Sequence, residues 1–154
     1  MTLRVLIVDD EPPARRKIRT LLRGDCRFEV AGEAADGLEA VERIEAERPD
    51  LVFLDIQMPG LSGFEVLEAL GATRPQIIFT TAYEQYAVQA FDIRALDYLL
   101  KPFDPERFSQ ALDRAIADRR AREGLEARVD DLMADWRTQR GPIQRLLVRE
   151  RDRM

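Results

Sequence analysis

Short apolar runs, each closed by an acid, a hydroxyl or a lysine, alternate with segments whose apolar positions recur every three or four residues. Leu3–Val8 (LRVLIV) predicts a strand that ends at Asp9-Asp10-Glu11. Pro12-Pro13 then opens a helix, because proline is tolerated in a first helical turn. Ile18, Leu21 and Leu22 carry its apolar face, and Gly24 marks its stop. Phe28–Ala34 is a second strand. Asp36 with Glu39 has the form of a capping box for a helix through Val41 and Ile44, which must end before Pro49. Leu51, Val52, Phe53 and Leu54 run without polar interruption into Asp55, and Met58-Pro59-Gly60 turns the chain. Such a run suits a strand buried on both faces, as in a parallel sheet. Ser62 and Glu65 repeat the capping pattern ahead of Phe64, Val66, Leu67 and Leu70, with Gly71 as a stop. A fourth strand over 76–80 leads into Thr81-Ala82-Tyr83, and a helix is expected near 84–92. A fifth strand, 96–100, ends at Lys101-Pro102. Asp104-Pro105 starts a last helix containing Phe108, Leu112 and Ile116. Five strands alternating with five helices through short loops imply an α/β fold, a parallel sheet covered on both faces.

Composition narrows the chemistry. The 154 residues include no histidine and one cysteine, Cys26. Histidine metal sites, histidine bases and a phosphohistidine relay are therefore excluded, and so is an intrachain disulfide. Carboxylates, hydroxyls and lysine remain. A lone cysteine and the lack of any apolar run near the ~20 residues of a membrane span predict a cytoplasmic protein with no membrane partner. The net charge of -5 is uneven. Residues 1–117 carry 14 basic and 21 acidic side chains, giving -7, and residues 118–154 carry 10 and 8, giving +2. By charge the first part is no DNA-binding surface, while the second is compatible with one.

The polar residues at the strand ends form a set. Asp9 and Asp10 follow the first strand, Asp55 the third, Thr80 and Thr81 the fourth, and Lys101 the fifth. In a parallel sheet these ends share one edge, where open α/β folds bind ligands. Carboxylates gathered there repel unless a cation joins them, and an oxygen-only ligand set suits a hard ion such as Mg²⁺. A lysine and a hydroxyl opposite are what an incoming phosphoryl group needs. One carboxylate would then be the nucleophile, giving an aspartyl phosphate.

Over its first 117 residues the chain resembles a receiver domain of bacterial two-component response regulators. Asp9-Asp10 resemble the acidic pair, Asp55 the phosphoacceptor in the pattern D-x-x-M-P-G, Thr81-Ala82 the hydroxyl switch, Tyr98 the switch aromatic, and Lys101-Pro102 the Lys-Pro pair. Thr80 competes with Thr81 for the hydroxyl role, and the alanine after Thr81 favours Thr81. The resemblance implies a flavodoxin-like fold with strand order 2-1-3-4-5. It implies Mg²⁺ held by Asp10, Asp55 and the backbone carbonyl of Gln57, with Asp9 contributing through water, and a cis peptide at Lys101-Pro102. It also implies a sensor histidine kinase as phosphoryl donor and no enzymatic turnover beyond self-phosphorylation and its reversal. Gln57 and Tyr83 sit at positions that tune phosphate lifetime in receivers.

A narrower resemblance lies in AFDIRALDYLLKPF (90–103) and in the Glu11 that extends the acidic pair. Both are similar to the LytR/AlgR group, whose receivers precede a LytTR DNA-binding domain, and RLLVRER (145–151) resembles that domain's opening strand. The expected organisation is a receiver over 1–117, a helical linker over 118–140, and over 141–154 the start of a truncated LytTR-like domain or a disordered tail, with Gly141-Pro142 as the boundary. Leu125, Val129, Leu132 and Trp136 are spaced four, three and four apart, an apolar seam that either packs back on its own chain or meets a partner. Asp92, Arg94, Asp97, Arg107, Asp113 and Arg114 predict a charged homodimer face on the fourth helix, fifth strand and last helix. DNA contact would come only through the effector domain. A stand-alone receiver working by protein contact is the alternative output. A phosphatase with an aspartate nucleophile lacks support, since Asp55-Ile56-Gln57 offers no second acid. A nucleotide or flavin carrier lacks a glycine-rich phosphate loop.

Overall fold

The structure, a computed structural model, describes residues 2–71 and 74–140, with side chains of the last helix through residue 137. The expectations for 141–154 lie outside the described residues. Five strands, β1 (Leu3–Val8), β2 (Phe28–Ala34), β3 (Leu51–Asp55), β4 (Gln76–Thr81) and β5 (Asp97–Leu100), form one sheet. All neighbours are parallel and the order is β2-β1-β3-β4-β5. The flavodoxin-like α/β fold expected from the resemblance is the one observed.

Alternation along β3 explains the layers. Val52 and Leu54 join Leu6, Val8, Ile77 and Phe79 in a core covered by α2 (Gly37–Glu47), α3 (Gly63–Leu70) and α4 (Ala87–Asp92). Phe53 points the other way and stacks on Phe108 of α5 (Pro105–Arg140), ring centroids 5.1 Å apart. Every residue of β3 is buried, as an apolar run between two helical layers requires. α1 (Pro12–Arg23) buries Ile18 and Leu22.

Local details depart from the sequence reading at several caps and element ends. At α2 the Asp36 carboxylate accepts from Glu39 N, but Glu39 Oε1 accepts from Ala35 N rather than from the cap residue itself. The full reciprocal box forms at α3, between Ser62 and Glu65. Gly24 caps α1 in a right-handed conformation, and the left-handed cap falls instead on Arg48, just before Pro49. The expected helix over 84–92 splits into a 3-10 turn, Glu84–Tyr86, followed by α4. Tyr86 in that turn is held by Gln57 Nε2, 2.8 Å from its hydroxyl, and by the edge of Phe64. β4 extends one residue further than expected, to Thr81, and β5 starts one residue later, at Asp97.

The chain divides into two compact units, the first ending at Ala115 and the second starting at Ile116. In the second unit the described side chains from 121 to 137 are exposed. No helix among the described residues is long and apolar enough to cross a membrane.

Candidate functional site

The strand order decides where the chain can hold a ligand. β1 and β3 are neighbours, yet β1 leads toward β2 on one side and β3 toward β4 on the other. Their carboxyl ends therefore open a crevice. Asp9 and Asp10 leave β1 and Asp55 ends β3, and carboxylate oxygens of the three all lie within 4.8 Å of one another. α3 approaches this edge closely: a Cβ on Gly63 would stand 2.6 Å from the Asp55 carbonyl oxygen, so only glycine fits the turn after Asp55.

Asp9 is fully buried, and both of its carboxylate oxygens are engaged. Oδ1 accepts from Glu11 N at 2.9 Å and Oδ2 from Lys101 Nζ at 2.8 Å. The same ammonium lies 3.7 Å from Asp55 Oδ2. Asp55 accepts from Gln57 N at 3.3 Å. Burial first, and then the Asp9 charge, push the Asp55 carboxyl up to about 7, against the pull of Lys101 and the Gln57 N–H. Burial works against the Lys101 ammonium, but its hydrogen bond to Asp9 and the charges of Asp55, Asp9 and Glu11 hold it above the ordinary lysine value. Three acids facing one lysine leave a surplus of negative charge in a half-closed, oxygen-lined site. That donor set fits a hard divalent cation.

Thr80 and Thr81 are both buried at this edge, with Thr80 in register with Asp55. Thr81 connects onward: its Oγ1 accepts from Tyr83 N at 3.2 Å, and its carbonyl accepts from Lys101 N at 2.7 Å. Tyr98 donates its hydroxyl to the Tyr83 carbonyl. The Lys101–Pro102 peptide is cis.

Thus Asp9, Asp10, Asp55 and Lys101 come together directly, and Thr81 and Tyr98 are joined through Tyr83. Gln57 is adjacent, with its side chain turned to Tyr86. Sequence reasoning missed Arg15 and Lys17. Arg15 Nη1 donates to the Asp9 carbonyl at 2.6 Å, while its Nε donates to Glu33 at 2.9 Å. Lys17 Nζ donates to the Phe103 carbonyl at 2.6 Å and lies over that ring, steadying the loop after Lys101. Nothing in a helix of repeated Arg and Lys marks these two out. The charged face also differs from expectation. Asp97 is buried and gripped within its own chain by Arg107 at 2.7 and 3.0 Å and by Arg114 at 3.3 Å, and Asp113 pairs with Arg27.

Comparison with known proteins agrees with this fold. Residues 5–113 match the model of the response regulator receiver domain. The transcriptional regulatory protein BtsR of Salmonella typhi is 45% identical over 118 residues, which are 76% of this chain and 49% of that protein. BtsR of Escherichia coli (strain K12) is 43% identical over 118 residues, with the same shares. The chain spans about half the length of the curated relatives it matches. Among solved structures, the response regulatory domain of mrkE from Klebsiella pneumoniae superposes with a TM-score of 0.70 at 32% identity, covering 75% of this chain and 97% of that one. The REC domain of AraT from Geobacillus stearothermophilus gives 0.71 at 32% identity, covering 79% and 99%.

Proposed function

The chain belongs to the response regulator receiver family, and from that premise we propose that it is a phosphorylation-controlled switch whose phosphoacceptor is Asp55. The observation that carries this reading is the Asp55 carboxylate at the end of β3, with Lys101 Nζ 3.7 Å away and the oxygens of Asp9 and Asp10 within 4.8 Å. In the reaction, an Asp55 oxygen attacks the phosphorus of a phosphohistidine on a sensor kinase. The phosphorus–nitrogen bond breaks, and the nitrogen leaves with its electron pair. Lys101 is positioned to neutralise charge on the phosphoryl oxygens, and Thr81 is the hydroxyl that donates to the new aspartyl phosphate. Receiver domains generally bind Mg²⁺ at an acidic pocket, and here Asp10, Asp55 and the Gln57 carbonyl would hold it, with Asp9 acting through water. When bound, the ion supplies positive charge against the three carboxylates and the incoming phosphate.

The motif at 90–103 supports membership of the LytTR group, and relatives named as transcriptional regulatory proteins support a transcriptional output. The domain reading follows: a receiver over 1–117, a linker over 118–140 and the opening of an effector domain beyond, through which alone DNA would be bound. The site of action is the cytoplasm. A homodimer through α4, β5 and α5 fits the exposure of Val88 and Phe91, the latter 82% exposed, better than it fits the charges already paired within the chain.

Incubating the protein with acetyl phosphate and Mg²⁺ and resolving it on a phosphate-affinity gel tests the central claim. A base-labile phosphate that vanishes in Asp55→Asn is expected. Undiminished labelling of that variant would remove Asp55 from its role.

A further inference from the structure

The second compact unit presents an apolar stripe that nothing in the receiver chemistry uses. Along α5 from Leu125 the large apolar residues Leu125, Val129, Leu132, Met133 and Trp136 are all exposed, four of them at 57%, 48%, 68% and 50% for the seam positions 125, 129, 132 and 136. The spacing of four, three and four assigns Leu125 and Leu132 to the d positions of a heptad, and Val129 and Trp136 to a. At Val129, between Leu125 and Leu132, a β-branched residue at a meets leucine at d, the combination that favours two parallel strands over three or four; Trp136 closes the seam as a large apolar a residue. N-terminal to the seam, Asp118 and Arg122 pair with each other at 3.0 Å, so the apolar layers begin at Leu125.

Charge does not oppose self-association. Residues 118–137 hold five arginines and six acids. In a parallel register the flanking g and e positions bring Ala121 against Glu126 and Arg128 against Met133, and neither is a like-charge pair. Covering the five apolar residues on two helices would remove roughly 1,000 Å² of surface, the lower bound of a specific interface.

We propose that this segment of α5 pairs with the same segment of a second copy as a parallel two-stranded coiled coil, with Leu125, Val129, Leu132 and Trp136 forming its core layers. Val129 meets Val129 of the second copy, and Leu132 meets Leu132. The association rests on apolar burial and not on phosphoryl transfer, so it stands or falls separately from the role of Asp55. With only four layers it is a weak clasp, populated at high concentration.

Cysteine cross-linking of the full chain reads the register. In a Cys26→Ser background, Val129→Cys should oxidise to a disulfide-linked dimer about tenfold or more faster than Ala127→Cys on the outer face, because core-position (a and d) Cβ atoms of the two helices approach within disulfide reach and outer-face ones do not. The Leu125→Ala/Leu132→Ala pair should sediment as monomer under conditions where the parent dimerises. Alanine favours helix, so that loss would not reflect a melted helix, and circular dichroism would verify it. Asp55→Asn should leave the cross-link unchanged. Equal rates at 127 and 129, or a parent that stays monomeric at several hundred micromolar with α5 intact, would overturn the proposal. So would a mixed disulfide between Val129→Cys and Leu132→Cys chains replacing the 129–129 link, since that is the mark of antiparallel pairing.

Discussion

Tyr98 on β5 donates its hydroxyl to the backbone carbonyl of Tyr83, the residue whose N–H donates to Thr81 Oγ1. The Thr81 hydroxyl, beside the proposed phosphoacceptor, and the aromatic side chain of Tyr98 are therefore two hydrogen bonds apart. If the Thr81 hydroxyl turns toward a phosphoryl oxygen, the Tyr83 N–H loses its acceptor and the Tyr98 anchor is disturbed. Tyr98→Phe should remove one hydrogen bond worth about 0.5–1.5 kcal/mol, speeding amide exchange across the loop after β4 by about 2–10-fold. Phosphate acceptance should persist in this variant and in Thr81→Ala, while the response at α4 and β5 weakens. Exchange mass spectrometry with and without acetyl phosphate measures both, and an unchanged response in Thr81→Ala would break the relay.

Asp55 should give the metal-free protein a stability that declines with rising pH. Its folded pKa is pushed up to about 7 from 3.8. Between those values the folded carboxyl holds a proton that the unfolded chain has lost. Its contribution to stability therefore falls as pH rises from about 4 through 7, by at most a few kcal/mol. Denaturant melts in EDTA should show that decline, with Asp55→Asn flattening it and Mg²⁺ restoring stability near pH 8. A profile equally steep in Asp55→Asn would assign the effect to other groups.

Arg15 holds the acidic loop from behind, joining the Asp9 carbonyl to Glu33. Arg15→Ala should loosen the placement of Asp9 and Asp10 and weaken Mg²⁺ binding about 10-fold, the usual effect of removing a group that orients metal ligands. Mg²⁺ titration followed by calorimetry tests this, with Arg19→Ala as the neighbouring control, since Arg19 shares Glu33 with Arg15 while Arg15 is the one that donates to the Asp9 carbonyl.

Asp97 is the opposite case from Asp55. Burial raises its carboxyl, but the hydrogen bonds from Arg107 and from Tyr98 N, with the charges of Arg107 and Arg114, outweigh that and hold it below the usual carboxylate value. Its stabilisation is present above pH 4 and is lost as pH falls through the depressed folded value. Asp97→Asn should cost about 1–3 kcal/mol at pH 7, discounted because Arg107 is partly exposed, and much less at pH 2.5. Urea melts at the two pH values test this, and a loss that does not shrink in acid would count against the account.

The fold was legible because its signals are local. The apolar run into Asp55, the capping pair Ser62 and Glu65, and the prolines at 12, 13 and 105 act within a few residues of themselves. The set of candidate site residues was legible for a related reason, since each sits where an apolar run stops. One local misreading has a tertiary cause. The helix over 84–92 was broken into a 3-10 turn and α4 in a stretch where Tyr86 meets Gln57 and Phe64, residues no periodicity connects to it.

By itself the sequence determined the alternation of strands and helices, the oxygen-only chemistry and the apolar seam of α5. Only the tertiary structure decided which groups touch. Lys101 meets Asp9 across 92 residues of chain because β1 and β3 are neighbours in the sheet and the edge they share is reached by the end of β5. Thr81 is joined to Tyr98 through the backbone N–H and carbonyl of Tyr83. Asp97 reads as one more surface charge until β5 folds it beneath Arg107. Periodicity carries information about which face of an element is apolar, but a carboxylate has the same letter whether water or a guanidinium faces it, and that choice is made by packing.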